Sequence, residues 1–229
     1  MHPSAWRHYS PSAFGLTREI ESEFTTAEWE KTVEGRGCCP CLPAGESGGV
    51  GRNAAASEDF GDLEGDWVGI ATLLGPISKE SYELPPESGG PEIGSDGEET
   101  RWHMTGLYTS PEHRRKGLAK MIIKSAMAYA KNHTLSLSSS SLSSSDKPKN
   151  IKVRLRMMIR PDNIVAISLY AALGFVDAGR STGAEAFKAN GNEAMMERSL
   201  KNSGMSPEMM MVRIGLVMER LESLVVKAI

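Results

Sequence analysis

A basic, glycine-containing turn within residues 107–119 is the part of the sequence best suited to chemistry. It reads LYTSPEHRRKGLA: a strand-like apolar stretch, a proline turn and the start of a helix. The first amides of a helix point outward at the positive end of its dipole, and Arg114, Arg115 and Lys116 add charge beside them. The turn therefore predicts a phosphate site. An ordinary strand-to-helix turn with surface arginines is the alternative.

The distribution of charge also indicates an anionic partner at this turn. The chain carries a net charge of −3, but residues 101–160 hold 13 Lys and Arg against two acidic residues, a net charge of +11. Such a block favours an anionic partner. The alternative is a solvated basic face that compensates the acidic residues 1–100. Charge alone does not separate a nucleotide cofactor, a nucleic acid and a membrane surface.

At two places the sequence resembles the GNAT (Gcn5-related N-acetyltransferase) family. The acetyl-CoA loop of that family, Q/R-x-x-G-x-G/A, is matched by residues 114–119. The second family signature is matched by Asn163, Ala166, Tyr170, Gly174 and Phe175. The resemblance is strong over residues 100–200 and fainter over 11–99, where residues 11–15 and 24–29 look like the first helices of fungal-type members.

The resemblance implies a fold, a reaction and a binding site. The fold is α/β, with a mixed sheet splayed between its fourth and fifth strands and flanked by helices. Acetyl-CoA, as cosubstrate, enters the wedge and acetylates an amine by direct attack in a ternary complex, without a metal. The implied acetyl-CoA contacts are Leu107, Tyr108, Thr109, Arg114, Arg115, Lys116, Gly117, Leu118, Ala119, Asn163 and Tyr170.

Two residues are candidates for proton transfer. Tyr170 matches the family tyrosine that protonates the departing CoA thiolate, and the alternative is a core aromatic whose hydroxyl reaches the surface. Some family members carry a carboxylate on the fourth strand, eleven residues before the loop. His103 occupies that position here, and an imidazole with an ordinary pKa near 6.5 suits a general base. A histidine that only fills the sheet, or a site with no fixed base, remains open.

The elements that must position these residues follow from apolar periodicity. Strands are predicted over residues 67–74, 102–109, 151–159 and 194–200, and helices over 17–34, 117–132 and 163–173. Loops at 35–63 and 75–100, and a Ser-rich linker at 134–146, are predicted to be flexible. These elements form a domain over residues 11–200 that lacks the family's first strand.

Residues 206–229 are predicted to form an additional C-terminal helix. Met210, Ile214, Val217, Leu221 and Leu224 recur at four- and three-residue intervals and form one apolar stripe. A helix with so large an apolar surface must be covered. We expect it to dock on its own chain, and a homodimer through this helix is the alternative.

Other motifs do not change this interpretation. Residues 45–49 match a serine-hydrolase elbow and residues 49–54 a dinucleotide fingerprint, but no predicted strand precedes either. Cys38 and Cys41 lack a second ligand pair for zinc. With three cysteines and no apolar run of signal or membrane length, we expect an intracellular protein of the cytoplasm or nucleus, without nucleic-acid or membrane partners. The competing function is a catalytically poor GNAT-like module that binds CoA or a protein.

Overall fold

The computed structural model describes residues 36–39, 68–139, 149–191, 196, 200 and 206–226. Within them, six strands form one mixed sheet. The strands are β1 (Arg36–Cys39), β2 (Gly69–Ile77), β3 (Glu99–Thr109), β4 (Lys149–Ile159), β5 (Val176–Ser181) and β6 (Gly215–Val226). Their order across the sheet is β1-β2-β3-β4-β6-β5. The central pair β3–β4 is parallel, and the other neighbours are antiparallel.

Five helices accompany the sheet in the described part of the chain. They are α1 (Lys79–Tyr82), α2 (Leu118–Ser139), α3 (Ile164–Ala171), α4 (Gly183–Ala189) and α5 (Pro207–Met210). Single 3₁₀ turns lie at Pro86–Ser88 and Pro111–His113. Among these described helices, none combines the length and the apolar character that crossing a bilayer requires. A mixed sheet flanked by helices confirms the predicted α/β fold class.

One face of the sheet, the helix face, carries the hydrophobic core. Alternate strand residues such as Leu73, Trp102 and Leu155 point to this face, where helices α2 and α3 cover them. Ile123 of α2 and Tyr170 of α3 belong to the same buried cluster. Two elements predicted from the sequence, the helix after the basic turn and the strand at 151–159, therefore pack in the same core.

The opposite face, the arginine face, buries charged side chains. Its buried members are Glu99, Arg101, His103, Arg154, Arg156 and Glu219. The segment between β2 and β3 covers them and is fixed by them, because Arg101 donates to the Ile77 carbonyl and Arg154 to the Glu92 carbonyl, both at 3.2 Å. The prediction of a flexible loop over residues 75–100 is therefore wrong. This segment contains α1, a 3₁₀ turn and the start of β3.

The predicted C-terminal helix is also wrong, because residues 215–226 form strand β6 between β4 and β5. Eleven consecutive register pairs join β4 to β6, from Lys149↔Val226 to Ile159↔Leu216. A central strand is covered on both faces at its buried end, so it has a continuous apolar run that helical spacing also fits. The homodimer through a helix loses its basis. The segment does dock on its own chain, but as a strand.

The structure differs from the predicted elements at several smaller places. Residues 36–39 pair with β2 as a strand inside the predicted loop 35–63. Helix α2 continues to Ser139, into the predicted Ser-rich linker, where the Thr134 hydroxyl donates to the Ala130 carbonyl at 2.7 Å. Met196 and Leu200 are helical, which contradicts the strand predicted there. The predicted helix 17–34, with residues 11–15 and 24–29, lies outside the described residues.

Two residues of β6 distinguish the strand from the predicted helix by their burial. In the predicted helix, Leu221 would be buried and Met218 would not. In the strand, Met218 is 4% exposed and Leu221 is 44% exposed. We expect Met218→Ala to lower the free energy of unfolding by about 2–5 kcal/mol. Leu221→Ala, the matched control, should lower it by less than about 1 kcal/mol. Urea unfolding measures both, and the reverse ranking would contradict the strand.

Candidate functional site

Strands β3 and β4 separate and form a wedge. Their parallel pairing runs from Glu99↔Lys152 to His103↔Arg156 and stops there. Both strands are described to their ends, at Thr109 and Ile159, so their last residues diverge without pairing to each other. The unpaired side of β3 leaves backbone groups that seek partners. An extended ligand could pair with them there, as a strand would.

A bulge shapes β3 inside the wedge. The register with β2 moves from Thr72↔Thr105 to Ile70↔Tyr108, which puts one extra residue on β3. Gly106 lies in this bulge with φ of +64°, a left-handed conformation that glycine adopts without strain. Beyond the bulge, Thr109 pairs with Gly69 of β2. The predicted pantetheine contacts, residues 107–109, thus lie beside β2 and make no register pair with β4.

The basic turn lies at the open end of the wedge, directly after β3. Gly117 has φ of +83°, and its carbonyl accepts the Met121 amide at 3.0 Å, so α2 begins at the next residue. Arg115 also has a positive φ, of 58°. A turn with two left-handed residues directly before a helix start can gather amide groups that favour an anion. The side chains of residues 114–116 are exposed.

The first turn of α3 follows β4 at the same end of the sheet. The Asn163 Oδ1 atom accepts the Ala166 amide at 3.2 Å and caps the helix. Within the described chain its amide NH₂ makes no hydrogen bond and can donate to a ligand carbonyl. Tyr170 lies further along α3, in the core against Phe175, with ring centroids 5.9 Å apart. Burial raises the pKa of the Tyr170 hydroxyl, so it holds its proton.

His103 lies at the closed end of the wedge, on the arginine face, and is fully buried. Its Nε2 atom is 2.8 Å from Asn190 Oδ1. Burial, together with the neighbouring Arg156 charge, lowers the pKa of His103 to about 3. The ring is therefore neutral and weakly basic at pH 7, because each proton it accepts is destabilised by burial and by the adjacent cation. This environment disfavours His103 as the general base.

The structure thus divides the predicted site residues into three groups. Residues 107–109, the turn 114–119 and Asn163 lie at the open end of the wedge. Tyr170 belongs to the core under the helix face, and His103 closes the other end. Sequence analysis overlooked Gly106 and Arg156. A glycine inside a predicted strand was the available signal for the bulge. An arginine that alternates with apolar residues is usually exposed, so the sequence offers no signal that Arg156 is buried.

The basic block of residues 101–160 contains both buried and exposed cations. Arg101 and Arg154 are buried and contact Asp96 and Glu99 of the acidic first hundred residues, at 2.6 Å in each case. The cations of the turn and of the first part of α2 are instead exposed, and these are Arg114, Arg115, Lys116, Lys120 and Lys124. Only the second group is available to an anionic ligand.

A separate cavity of about 250 Å³ lies on the helix face, between α2 and the start of β5. Its walls include Ile123, Met127 and Phe175, and charged groups of Lys131 and Glu222 form an ion pair at its edge. No residue of the basic turn lines it. Among the described residues, no group of three His, Cys, Asp or Glu side chains is placed to hold a metal.

Comparison with known proteins supports the family resemblance. Residues 61–142 match the model of the Acetyltransferase (GNAT) family. The matched segment contains β2, β3, the basic turn and α2, and it ends before Asn163. No curated protein sequence matches the chain. The family match therefore covers the part of the candidate site that contains β3 and the basic turn, and not the part that contains Asn163 and Tyr170.

Solved acetyltransferase structures overlap only loosely with this chain. NAA60 of Arabidopsis thaliana in complex with acetyl-CoA is 21% identical, with a TM-score of 0.33, over 55% of this chain and 62% of that one. A chimera of the spermidine N-acetyltransferase SpeG from Vibrio cholerae and hSSAT is 19% identical, with a TM-score of 0.28, over 70% and 61%. The chain spans about three fifths of these structures. TM-scores this low carry no argument about function.

The environment of His103 predicts a pH dependence of stability. The unfolded histidine binds a proton near pH 6.5, and the folded one near pH 3, so stability is complete above pH 6.5 and falls as the pH drops toward 3. From pH 7 to pH 5, the wild type should lose about 2 kcal/mol more of its free energy of unfolding than His103→Gln. Urea unfolding at both pH values measures this. Equal losses would show that His103 titrates normally in the folded protein.

Proposed function

We propose that this protein is an acetyl-CoA-dependent N-acetyltransferase that acts on an amine. The observation that carries the proposal is the sequence of features along β3. The strand leaves β4 after His103, bulges at Gly106 and runs directly into a basic turn at the N-terminus of α2. A ligand with an extended amide-containing arm and a pyrophosphate group fits this path. The match of residues 61–142 to the GNAT family supports it. The fungal-type subclass stays a prediction.

The residues of the wedge and turn would hold acetyl-CoA, which supplies the activated acetyl group when bound. The amides of residues 114–119 and the exposed arginines beside them would bind the pyrophosphate. The backbone of residues 107–109, on the side of β3 from which β4 diverges, would pair with the pantetheine arm as an added strand does. The free NH₂ of Asn163 would donate to a carbonyl of that arm.

The reaction needs a proton acceptor for the attacking amine and a proton donor for the leaving sulfur. The attacking amine must lose a proton, and water is the carrier that the structure favours, because His103 is buried and weakly basic. The amine then forms the C–N bond as the C–S bond breaks, and the sulfur leaves with the electron pair. Tyr170, whose raised pKa keeps it protonated, would donate to that sulfur. The nitrogen of the new amide loses a second proton, which replaces the one that Tyr170 donated, so the balance is one acetyl group moved, one CoA thiol formed and one proton released to solvent.

The proposed role of the basic turn in pyrophosphate binding is tested by Gly117→Glu. A carboxylate at this position opposes the pyrophosphate, and the left-handed φ of +83° disfavours any side chain there. A Cβ at Gly117 meets no atom within 4 Å, so the fold should survive. We expect calorimetric titration with acetyl-CoA to show at least a hundredfold weaker binding, or about 3 kcal/mol.

Two further variants separate charge from backbone strain in this experiment. Gly117→Asn adopts a left-handed conformation more readily than Glu and adds no charge, so it should bind acetyl-CoA more tightly than Gly117→Glu. Gly97→Glu places the same charge in another open position, away from the turn, and should bind as the wild type does. Wild-type affinity in a folded Gly117→Glu protein would remove the turn from the acetyl-CoA site.

The leaving-group role is tested by Tyr170→Phe. This change keeps the packing of the ring in the core and deletes only the hydroxyl group. We expect kcat to fall by about 10²–10⁴-fold and the Kd of acetyl-CoA to change little, since general-acid catalysis typically contributes that factor. Steady-state kinetics and calorimetry measure the two quantities. An unchanged kcat would reduce Tyr170 to a packing residue.

The second candidate function is a GNAT-like module that binds CoA but catalyses poorly. It is favoured by the environment of His103, which deprives the wedge of the base that its position suggested. The two candidates differ in turnover rather than in binding. Acetyl-CoA binding without acetylation of any amine in a broad panel would select the binding module, and release of CoA with an amine would select the enzyme.

A further inference from the structure

The cavity of about 250 Å³ on the helix face, here called the α2 cavity, lies apart from the wedge and the basic turn. Helix α2 forms one wall, the residues between α3 and β5 form another, and β6 contributes two charged side chains. The α2 residues that line it are 123–132, which lie about 8 to 21 Å along the helix from its start. A space of this volume holds a molecule of roughly ten heavy atoms, because one water in the liquid takes about 30 Å³.

The α2 cavity opens to solvent along the helix. Lys124, Ala128 and Asn132 all line it, and all three are exposed. They are spaced four residues apart, so they form one row on the surface of α2. A small molecule can therefore reach the cavity from solvent past this row.

The inner walls of the cavity are apolar. Ile123 and Met127 of α2 line it, together with Leu173 and Phe175, and all four belong to the buried core cluster. A ring or hydrocarbon chain placed against these side chains loses contact with water, which favours binding in proportion to the apolar area covered. The walls thus favour a ligand with an apolar body.

The charged side chains of the α2 cavity have an excess of positive charge. Three cations, Lys124, Lys131 and Arg220, line the described cavity against one carboxylate, that of Glu222. Two of the cations share this carboxylate, because its Oε2 atom contacts Lys131 Nζ and its Oε1 atom lies 2.7 Å from Arg220 Nη2. Lys124 forms no ion pair within the described part of the chain. An anion is therefore the ligand that these charges favour.

Arg220 is oriented at the cavity by two contacts. Its Nη1 atom donates to the Leu173 carbonyl at 2.5 Å, and its Nη2 atom faces Glu222. A guanidinium has five N–H donors, so these contacts leave others for a ligand. The side chain is 33% exposed, which leaves it accessible. A held guanidinium of this kind suits a carboxylate, whose two oxygens match its planar donors.

We propose that the α2 cavity binds a small organic carboxylate that has an apolar ring or chain. The apolar body would lie against the core residues, and the carboxylate would lie between Lys124 and Arg220 at the cavity mouth. The ligand supplies the negative charge that Glu222 alone does not provide for three cations. This is a second ligand site, and it does not depend on the proposed transferase function.

The test compares phenylacetate with two matched compounds. Phenylacetamide keeps the ring without the charge, and acetate keeps the charge without the ring. Ligand-observed NMR titrations of the full chain, with and without saturating CoA, measure the three Kd values. We expect phenylacetate to bind at least about tenfold more tightly than either compound. Phenylacetate that binds no better than one of them, or does not bind, overturns the proposal.

Charge variants locate the carboxylate. Lys124→Met should lower the preference for phenylacetate over phenylacetamide by about threefold or more. Lys120→Met, the matched control, removes an exposed cation one turn earlier that does not line the cavity, and should leave the preference intact. Equal effects of the two changes would contradict a carboxylate site at the cavity.

A change in volume locates the apolar body. Ala128→Trp should obstruct the entrance and weaken phenylacetate binding about tenfold or more. Ser136→Trp adds the same ring two turns further along the same exposed row, outside the cavity, and should bind as the wild type does. Both positions are exposed, so both variants should fold. Wild-type affinity in Ala128→Trp would remove the ligand from the cavity.

The titrations with CoA separate this site from that of the cosubstrate. Equal phenylacetate affinity with and without CoA would support a second site. A Kd of phenylacetate that rises in proportion to the CoA concentration would place the cavity within the cosubstrate site and overturn the proposal. If CoA does not bind but phenylacetate keeps its preference, the proposed function falls and the cavity site stands.

Discussion

The arrangement of the sheet depends on one buried guanidinium, that of Arg154. It reaches Glu99 of β3 through Nε and Nη2, at 2.6 and 3.0 Å, and Glu219 of β6 through Nη1, at 2.7 Å. One side chain therefore ties three neighbouring strands together at the closed end of the wedge. Its remaining contact, to the Glu92 carbonyl, fixes the covering segment as well. Loss of one partner from such a buried set typically costs about 3–5 kcal/mol, so the closed end is the part of the sheet that resists separation.

Because Arg154 holds the strands together at the closed end of the wedge, the strands can separate at the other end. Beyond His103 and Arg156 the two central strands give up their mutual hydrogen bonds, and the backbone groups they leave become available to a ligand. The basic turn lies at the open end of the wedge, away from the Arg154 contacts. The acidic segment before β3 completes the arrangement, because Asp96 and Glu99 neutralise two of the interior arginines. The cations of the turn are exposed and are not neutralised by these two carboxylates. One part of the basic block therefore stabilises the fold, and the other part faces solvent at the candidate binding site.

What could be predicted from the sequence was local, and what could not was set by contacts distant along the chain. The basic turn, the start of α2 and the start of α3 each depend on a few adjacent residues, and each lies where expected. The strand β6 was mistaken for a helix because burial on both faces erases the alternation that identifies a strand. Arg154 and Arg156 alternate with apolar residues and so indicated a solvent-facing side. Their burial depends on a covering segment whose proline and acidic content suggested a loop.

The place of β6 in the sheet also imposes an order on biosynthesis. In the described chain, β5 pairs with β6 alone, and β4 meets β6 along its whole length. About 45 residues separate the end of β5 from the end of β6, which at translation rates of about 5–20 residues per second is a wait of roughly 2–9 s. During that interval β4 lacks its neighbour on one side, and β5 lacks the strand with which it pairs. A chaperone that shields unpaired strands has its opportunity in those seconds, between the synthesis of the wedge and the arrival of the strand that completes it.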